Sequence, residues 1–410
     1  MAQLNITLNQ DEILSLLSDD RNEAFKKLLQ ESLNSVLQAE SKEQLNAEPY
    51  ERTEGRTDSR NGTRERTLVT RIGTILLTVP RHRNEPFKTM IFNNYSRSEA
   101  SLIAAMSEMV INGVSTRRVS KVVEELCGKS ISKSAVSELC KDLDQYVKEF
   151  RNRPLTTNYP FVMVDATYFK VRFDHRIVSK ALMIALGITE KGSREIIGFE
   201  LYDNESKETW KDFLIRLRAR GLTGIKMITS DAHEGILHAV RNIFPDVPWQ
   251  RCQFHFARNI IDKAPKKYQE GIRCELQAMF QSATMSEARK KRDALLNDYS
   301  DVAPNAMECL DLGFESAMTV MYLPESIRRF VRTSNHLERT NKELKRRSKA
   351  IGVFPNEASV IRLMGSVLME YHEKLINQRR MFYSPQYQEI ISIGDKLHQV
   401  AHEQDALLIA

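Results

Sequence analysis

Three acidic residues lie at positions where a carboxylate can take part in chemistry. Asp165 follows the apolar run Phe161 to Val164, a pattern typical of a β-strand. Asp231 follows a second such run, and a helical pattern comes directly after it. Glu338 lies near the start of a strongly helical, basic segment. Because ligand sites of open α/β sheets lie at strand ends that precede helices, the position of Asp231 indicates a functional site.

Each of these acids also has an ordinary structural explanation. An acid within a strand is costly to bury unless it is paired, so Asp165 could pair with a nearby Lys or Arg or face water at a strand end. Ser230 or Asp231 could cap the helix that follows. Asn335 and Glu338 have the spacing of a capping box, and a capping role does not exclude a catalytic one.

Three carboxylates on two strands and a helix suit two-metal phosphoryl transfer. Two Mg²⁺ ions about 3.5–4 Å apart can hold the attacking and leaving oxygens of an in-line displacement. Mg²⁺ prefers hard oxygen ligands, and Mn²⁺ can substitute for it. We therefore expect Asp165, Asp231 and Glu338 to be both catalytic and metal-binding. The sequence contains no GxxxxGK[ST] loop, which favours phosphodiester exchange that does not consume ATP.

Four separated blocks of the chain resemble the bacterial mutator-type family of insertion-sequence DDE transposases. They are VDATYFKVR around Asp165, ITSDAHEGI around Asp231, WQRCQFHFARN at 249–259 and NHLERTNKELKRR around Glu338. The spacings also match, since the second acid lies 66 residues after the first (231 − 165) and the third 107 residues after the second (338 − 231). The resemblance extends from about residue 50 to about residue 375.

This resemblance implies an α/β fold, with a ribonuclease H-like mixed sheet, an all-helical insertion, and mostly helical DNA-binding domains before the sheet. It also implies a transposase that binds the terminal inverted repeats of an insertion sequence. Such an enzyme cuts the element's ends to release a 3′-hydroxyl, which then attacks a target phosphodiester. Because two DNA ends must be brought together, the resemblance implies a homodimer or a larger assembly.

The chain is expected to divide into six parts. They are an N-terminal helical region (1–48), a basic β-rich DNA-binding segment (49–94), a helix-turn-helix-like DNA-binding domain (95–153), a catalytic domain in two pieces (158–257 and 326–352), an all-helical insertion (258–325) and a C-terminal helical region (353–410). In more detail, helices are expected within 10–40, and strands at 161–172, 178–189, 194–201, 225–231 and 247–254.

The segment 50–92 is rich in arginine and predicts short strands or a hairpin, with Gly73 at the turn. Arginine suits phosphate because its planar guanidinium binds bidentately and stays charged. The alternative is a solvated, partly flexible basic segment. Farther on, Gly128 to Ser130 separate two helices, as in a helix-turn-helix. The second helix would then present Ser132, Lys133, Ser134 and Ser137 to the bases, although an ordinary helical bundle has the same pattern.

Basic residues also surround Glu338. Lys342 and Lys345 lie at offsets of four and seven, near its face of the helix, whereas Glu343 at offset five points away, so Glu338 is the predicted ligand. Contacts of such residues with phosphate should be salt-sensitive. The candidate DNA-binding residues are Arg60, Arg64, Arg66, Arg81, Arg83, Arg117, Arg118, Lys133, Ser134, Arg258, Lys342, Lys345, Arg346 and Arg347.

Cys252 and His255 form a C-x-x-H pair, which could supply two of four zinc ligands. No second pair has suitable spacing, although Cys274 and His233 are present. By resemblance, this element is a family feature that supports the catalytic site, where His255 would bond to a phosphate or orient a carboxylate. Trp249 could hold a flipped base but is more simply a core residue.

Composition sets broad limits. The 410 residues carry a net charge of +6, which permits but does not require nucleic-acid binding. Five cysteines without framework spacing favour reduced thiols. The N-terminus lacks the features of a signal peptide, and no apolar run is long enough to span a bilayer. These features favour a cytoplasmic protein, and the resemblance implies a bacterial, nucleoid-associated one.

Two rival functions remain from sequence alone. A nuclease of the same fold would use the same acids but would not join the cut DNA to a target. A DNA-binding regulator with an inactive catalytic domain would bind the terminal repeats without cutting them. A purely structural protein would leave the acids at the strand ends unexplained.

Overall fold

A computed structural model of the chain describes residues 21–49, 51, 55–70, 73–89, 100–112, 114–127, 132, 134, 136 and 140–409. The chain divides into two compact units between residues 142 and 143. Each unit is described by itself below.

The first unit begins with a long helix and a hairpin. Helix α1 spans Arg21–Leu45, and strands β1 (Arg60–Thr70) and β2 (Gly73–His82) pair antiparallel, with Thr70 opposite Gly73. The expected hairpin is therefore confirmed, with its two-residue connection outside the described residues. Helix α1 packs on β2. The core here consists of Leu37, Leu68, Ile75, Leu77, Val79 and Phe87.

Two further helices follow, α2 (Ala100–Ile111) and α3 (Thr116–Cys127). They share a small core with Val136, made by Met106, Val119 and Val123. The expected turn at 128–130 and most of the second helix of the helix-turn-helix lie outside the described residues, so that motif stays a prediction. The helices expected before residue 21 also lie outside them.

The second unit is built on a mixed five-stranded sheet in the order β5-β4-β3-β6-β7. The strand β3 pairs antiparallel with β4, which pairs antiparallel with β5; on its other side β3 pairs parallel with β6, and β6 with β7. The strands are β3 (Phe161–Phe173), β4 (Arg176–Ile188), β5 (Arg194–Tyr202), β6 (Met227–Ser230) and β7 (Trp249–Arg251).

Both faces of this sheet are covered, which explains the continuous apolar runs in its strands. On one face, Val162 and Val164 pack with helices α5 (Lys207–Ala219) and α6 (Glu234–Ile243). On the other face, the ring of Phe161 meets that of Phe382 edge-on at a centroid distance of 6.0 Å. Alternate residues of one strand therefore enter two separate cores.

Helix α4 (Leu143–Asn152) packs on β5 and on α13 (Glu357–Ile376), so it belongs with the sheet. The predicted helix-turn-helix domain, which ran to residue 153, thus extends beyond the observed division of the chain. Helix α13 likewise packs on the sheet. Its Gly365 faces α4 and β5 so closely that a Cβ there would lie 2.4 Å from Val147 Cγ1 and 3.0 Å from Phe199 Cζ.

A set of helices separates β7 from the helix that carries Glu338. They have their own core, centred on residues such as Phe256, Leu276 and Leu310. The all-helical character expected for 258–325 is confirmed in this structure. The helices are α7 (Gln253–Lys263), α8 (Gln269–Phe280), α9 (Met285–Tyr299), α10 (Pro304–Ala317), the 3₁₀ turn Thr319–Tyr322 and α11 (Glu325–Val331).

The prediction of the last strand was wrong in its length, because the observed strand is shorter. Val247 to Phe254 was predicted as a strand, but pairing covers only Trp249–Arg251 and α7 begins at Gln253. The Cys252 N–H donates to Ser230 O at 2.7 Å, and the chain then turns into the helix. An apolar run with two aromatic residues does not distinguish a strand from a helix start, so pattern alone placed this boundary too late.

Four helices complete the unit: α12 (Asn335–Ser348), α13, α14 (Ser384–Ser392) and α15 (Gly394–Ile409). Helix α12 contacts β3, the strand that carries Asp165. Within the described part of the chain, no helix combines the length and the apolar character that crossing a membrane requires.

The close packing of Gly365 gives a test of this architecture. We expect Gly365→Ala to lower the free energy of unfolding by about 1–3 kcal/mol, because the added methyl overlaps Val147 in a filled core. Urea unfolding followed by tryptophan fluorescence measures this directly, since both tryptophans lie in the second unit. The matched control is Gly271→Ala in α8, where the nearest atom is the movable Tyr299 hydroxyl. This control should be neutral or up to about 1 kcal/mol more stable.

Candidate active site

The sheet brings Asp165 and Asp231 together. In the parallel pairing of β3 with β6, Met163 lies opposite Thr229. Asp165 comes two residues after Met163, and Asp231 comes two residues after Thr229. Asp165 remains within β3 and still pairs with Ile184 of β4. Burial, and then the negative charge of Asp231, raise the pKa of Asp165 to about 7. Two like charges are therefore held close in a partly buried setting.

Asp165 is anchored by hydrogen bonds and not by a cation. Its Oδ1 accepts the Ala166 N–H at 2.9 Å, and its Oδ2 accepts Asn341 Nδ2 of α12 at 2.8 Å. No lysine or arginine of the described chain forms a salt bridge with it. Pairing with a neighbouring cation, the simple structural explanation of this acid, is thus not what the structure shows. Asn341 was missed by sequence reasoning because nothing local distinguishes it.

Asp231 does not cap the helix that follows it. The N-cap of α6 is His233, whose ring accepts the Gly235 N–H, so neither Ser230 nor Asp231 fills that role. The Oδ1 of Asp231 is buried and accepts no hydrogen bond. A buried carboxylate oxygen without a donor is costly, and it is therefore suited to a cation.

Ser230, next to Asp231, belongs to the core. Its hydroxyl donates to its neighbour's carbonyl at 2.8 Å and accepts the Trp249 indole N–H at 2.8 Å. Trp249 is only 8% exposed. Its single donor is thus occupied and its ring is covered, which supports the core role over the stacking of a flipped base.

Glu338 lies in the first turn of α12, and the expected capping box does not form. The N-cap is Ser334, and no side chain caps this helix end. The Glu338 side chain is 14% exposed, and its Oε1 is buried without a hydrogen bond. His255 Nε2 lies 4.0 Å from this oxygen. Glu338 therefore has the same character as Asp231, a carboxylate with an oxygen that no protein donor satisfies.

The C-x-x-H pair joins the starts of two helices. Cys252 precedes α7, and its Sγ accepts the backbone N–H and the hydroxyl of Ser334, which precedes α12, at 3.3 and 3.2 Å. Burial favours the neutral thiol, but hydrogen bonds from His255 and Ser334 outweigh it and lower the pKa of Cys252. The start of the helix that carries Glu338 is thus fixed to β7 and α7.

His255 faces several negative groups. The adjacent Cys252 sulfur and then the carboxylates of Asp165 and Glu338 raise its pKa to about 9, although burial opposes the charge. The imidazole is therefore protonated at neutral pH. A cation in this position offsets part of the repulsion among the acids and can orient the Glu338 carboxylate.

A zinc site is not complete here. Donor atoms of Cys252, His255 and Glu338 lie within 4.8 Å of one another, and they form the one such cluster found in the described part of the chain. Cys274 is exposed on α8 and His233 caps α6, so neither completes a set of four.

A fourth acid, Glu205, lies beside the site and was not predicted. It precedes α5, and burial together with the charge of Asp231 raises its pKa, against the opposing effect of His233. The adjoining turn is close to the start of α6, since a Cβ on Gly235 would lie 3.0 Å from the Ser206 carbonyl. In sequence, Glu205 is one of several polar residues between a strand and a helix.

Several candidate DNA-binding residues of the first unit are exposed. Arg60 instead turns inward and donates to the carbonyl oxygens of Ala47 and Glu48. Arg66, which lies opposite Leu77 in the hairpin, is half-buried, whereas Arg64, opposite Val79, is exposed. Lys133 lies outside the described residues. The exposed candidates here are Arg64, Arg81, Arg83, Arg117, Arg118 and Ser134.

In the second unit, Arg347 differs from its expected role. Its guanidinium is 5% exposed and pairs with Glu343 of its own helix and Glu370 of α13. It therefore packs these two helices together and does not face solvent, a correction that the pattern of basic residues could not have supplied. Arg346 is exposed but also pairs with Glu343. Arg258, Lys342 and Lys345 are exposed, Arg258 with Asp262 at 3.6 Å.

Comparison with known proteins identifies the family. The family described as "Transposase, Mutator family" matches residues 1–378 of this chain. The chain belongs to the Mutator family of transposases. Its relatives include the transposase for insertion sequence element IS256 in transposon Tn4001 of Staphylococcus aureus, 43% identical over 386 residues, which are 93% of this chain and 99% of the relative.

More distant family members agree. The transposase for insertion sequence element ISRM5 of Rhizobium meliloti is 37% identical over 369 residues, 90% of this chain and 92% of the relative. A solved Drosophila P element transposase strand transfer complex aligns over 74% of this chain and 86% of that chain, with a TM-score of 0.31 and 11% identity. That structural similarity is too low to support an argument.

The raised pKa of Asp165 predicts a pH-dependent stability effect. Between about pH 4 and pH 7 the unfolded chain loses the Asp165 proton first, so stability falls as pH rises, and the full penalty applies above pH 7. Asp165→Asn should therefore stabilise the metal-free protein at pH 8 by about 1–3 kcal/mol. A shift of one pKa unit corresponds to about 1.4 kcal/mol, and the full shift of Asp165 sets the upper limit of this gain. The gain should vanish near pH 4. Denaturant unfolding in EDTA at both pH values measures it.

Asp212→Asn is the control with the opposite sign. Hydrogen bonds from Tyr202 and Arg216 outweigh burial and lower the pKa of Asp212. Its carboxylate therefore stabilises the folded state at pH 8, and the substitution should weaken it. If Asp165→Asn lost stability at pH 8 as Asp212→Asn does, burial and the charge of Asp231 would not destabilise the Asp165 carboxylate.

Proposed function

We propose that this Mutator-family transposase binds the terminal inverted repeats of an insertion sequence and performs metal-dependent DNA cleavage and strand transfer, with Asp165, Asp231 and Glu338 as its DDE triad. The observation that carries the proposal is the pair of buried, unsatisfied carboxylate oxygens, Asp231 Oδ1 and Glu338 Oε1. Asp231 follows β6, the parallel neighbour of the strand that carries Asp165, and Glu338 lies on α12, which contacts that strand.

The sheet supports a ribonuclease H-like interpretation of the catalytic domain. The strands β3, β4 and β5 pair antiparallel, and the shorter strands β6 and β7 extend the sheet in parallel from the other edge of β3. Asp165 on the central strand and Asp231 after its parallel neighbour then occupy the sheet centre. Glu338 joins them from a helix that returns after a long helical insertion.

The donor set fits a hard divalent cation. Asp165, Asp231 and Glu338 offer carboxylate oxygens, of which two have no protein donor, and Mg²⁺ or Mn²⁺ prefers such ligands. Two Mg²⁺ ions bound there would activate the attacking oxygen and stabilise the leaving oxygen of a phosphodiester.

The remaining residues position these acids. Asn341 holds Asp165 Oδ2, so α12 and β3 keep a fixed relation. Ser334 and Cys252 fix the first turn of α12. The His255 imidazolium lies 4.0 Å from Glu338 and is placed to orient its carboxylate. Such supporting residues around a metal site commonly affect metal affinity or activity about 10–100-fold.

Two reactions follow at one site. In the first, water attacks the phosphodiester at the element's end, and the bond to the 3′ oxygen breaks to release a 3′-hydroxyl and a 5′-phosphate. In the second, that 3′-hydroxyl attacks a target phosphodiester and displaces another 3′-hydroxyl. Both are in-line displacements at phosphorus, so one set of carboxylates serves both. Because two ends must be joined to one target, we propose that the active form is at least a dimer.

The decisive test uses a labelled duplex carrying the element's end, with Mg²⁺ and a target plasmid. The wild type should nick the end and join it to the plasmid. Asp165→Asn, Asp231→Asn and Glu338→Gln should each lower the rate of nicking by at least about 1,000-fold while still binding the duplex in a gel-shift assay. Glu343→Gln is the matched control on α12, because Glu343 is paired with arginines and faces away from the triad.

Each alternative outcome has a distinct meaning. Binding without nicking by the wild type would favour the regulator. Nicking without joined products would favour a nuclease. Loss of nicking in Glu343→Gln to the same extent as in Glu338→Gln would show that the assay reports folding of α12 and not the triad.

A further inference from the structure

A wide cleft lies between the helical insertion and the chain that follows α13. Its volume is about 1070 Å³. Residues from the end of α8, from α11 and from the segment 379–386 line it. Five arginines contribute to this lining and only one acid, Glu325, so the cleft is strongly basic. The arginines are Arg328, Arg329, Arg332, Arg379 and Arg380.

One of these arginines has a structural role. Arg328 donates from Nε to Leu323 O and from a terminal nitrogen to Ala283 O, both at 2.8 Å, which ties α11 to the loop after α8. It fixes the wall of the cleft. Burial lowers its pKa, which agrees with a guanidinium held inside the wall.

The other four arginines have no carboxylate partner among the described residues. None of them forms a salt bridge in the described part of the chain, whereas many other arginines of this unit do, among them Arg346, Arg347 and Arg362. Arg379 and Arg380 are exposed, and Arg329 lies over the Phe330 ring at 4.5 Å. Four unpaired guanidinium groups around one cleft repel one another, so the cleft is suited to a polyanion.

The cleft adjoins the proposed active site. Arg332 lies two residues before Ser334, and its carbonyl accepts the Gln253 N–H at 3.0 Å, next to Cys252. The same arginine also lines a second cleft of about 560 Å³ along α7 and α8, which contains Arg258 and Arg273. In that second cleft Arg258 pairs with Asp262, and Arg273 pairs with Glu270. The arginines without a carboxylate partner among the described residues therefore belong to the first cleft, which Arg332 connects to the junction that holds the start of α12.

We propose that this cleft, the arginine cleft, binds the phosphate backbone of one strand of the DNA that runs to the active site, without regard to base sequence. The inference rests on the proposed DNA-cleaving function, because proximity to a phosphodiester-cutting site favours DNA over an acidic peptide as the polyanion. Guanidinium groups bind phosphate oxygens bidentately. Phosphates along one strand are about 3.4 Å apart along the helix axis, so four arginines can contact several successive phosphates.

The test measures how DNA affinity depends on salt, in EDTA so that no cleavage is needed. Wild type and the Arg379→Ala/Arg380→Ala variant are titrated with a duplex that lacks the terminal repeat, over a series of salt concentrations. Each phosphate contact contributes about 0.9 to the slope of log K against log salt. The double variant should therefore have a slope shallower by about 1–2, and Arg329→Ala one shallower by about 1.

The control removes two positive charges elsewhere in the same unit. Lys148 on α4 and Lys290 on α9 are exposed and do not line either cleft. Lys148→Ala/Lys290→Ala should keep the wild-type slope, which separates a local contact from a change in net charge. Thermal unfolding of each variant checks that the fold is intact. We expect the fold to survive in the double variant, because the exposed side chains of Arg379 and Arg380 form no salt bridge among the described residues.

An unchanged slope in both cleft variants would overturn the proposal. So would binding of a polyglutamate peptide that is lost in the variants while the DNA slope stays at the wild-type value. The result is independent of the triad. The titration is done in EDTA on DNA that is not cut, so loss of cleavage in the triad variants and a shallower slope in the cleft variants are separate findings.

Discussion

The repulsion between buried carboxylates is the constraint on which the rest of this structure depends. Asp165 and Asp231 are adjacent because β3 and β6 are adjacent, and the sheet cannot relax to separate them. Two nearby groups offset part of this cost: the Asn341 amide donates to Asp165, and the His255 imidazolium faces Asp165 and Glu338. The oxygens of Asp231 and Glu338 that accept no hydrogen bond from the protein remain energetically unfavourable, and a bound cation would relieve this cost.

A second requirement follows from the chain order. Glu338 must return to the sheet after five described helices and a 3₁₀ turn, and its position is set by a small number of hydrogen bonds. Cys252 holds Ser334, and Gln253 donates to Arg332. The Thr229 hydroxyl on β6 donates to Val331 O at 2.8 Å in the interior. These contacts connect the strand before Asp231, the start of α7 and the approach to α12.

The sequence predicted the positions of the three acids and the main elements that hold them. Apolar runs ending in an acid are a local signal, so Asp165 and Asp231 could be found without the structure, although β3 continues past Asp165 to Phe173. The simple alternatives could not be excluded in advance. Whether Asp231 or His233 caps α6, or whether Asn335 starts or precedes α12, depends on one turn of backbone that helix patterns leave uncertain.

Tertiary contacts account for what was missed. Asn341 reaches Asp165 across 176 positions of the chain, and Arg347 is buried by pairing with Glu370 of another helix. Neither relation leaves a trace in local composition. Glu205 is near Asp231 only because α5 and α6 pack side by side. The resemblance assigned roles to the three acids and the C-x-x-H pair, but it did not reveal the contacts of Asn341 or Arg347, although both lie within the block around Glu338.

The hydrogen bonds made by Cys252, Gln253 and Thr229 also hold the two ends of the helical insertion close together. The insertion is therefore a closed loop, and these three hydrogen-bonded positions form its neck. Closing a loop costs free energy only as the logarithm of its length, about 0.6 kcal/mol for each doubling. The insertion has its own core, so its interior does not depend on the sheet. The number of residues between the second and third acids is therefore a weakly constrained quantity. Evolution could lengthen, shorten or exchange these helices while the neck keeps Glu338 at the same place.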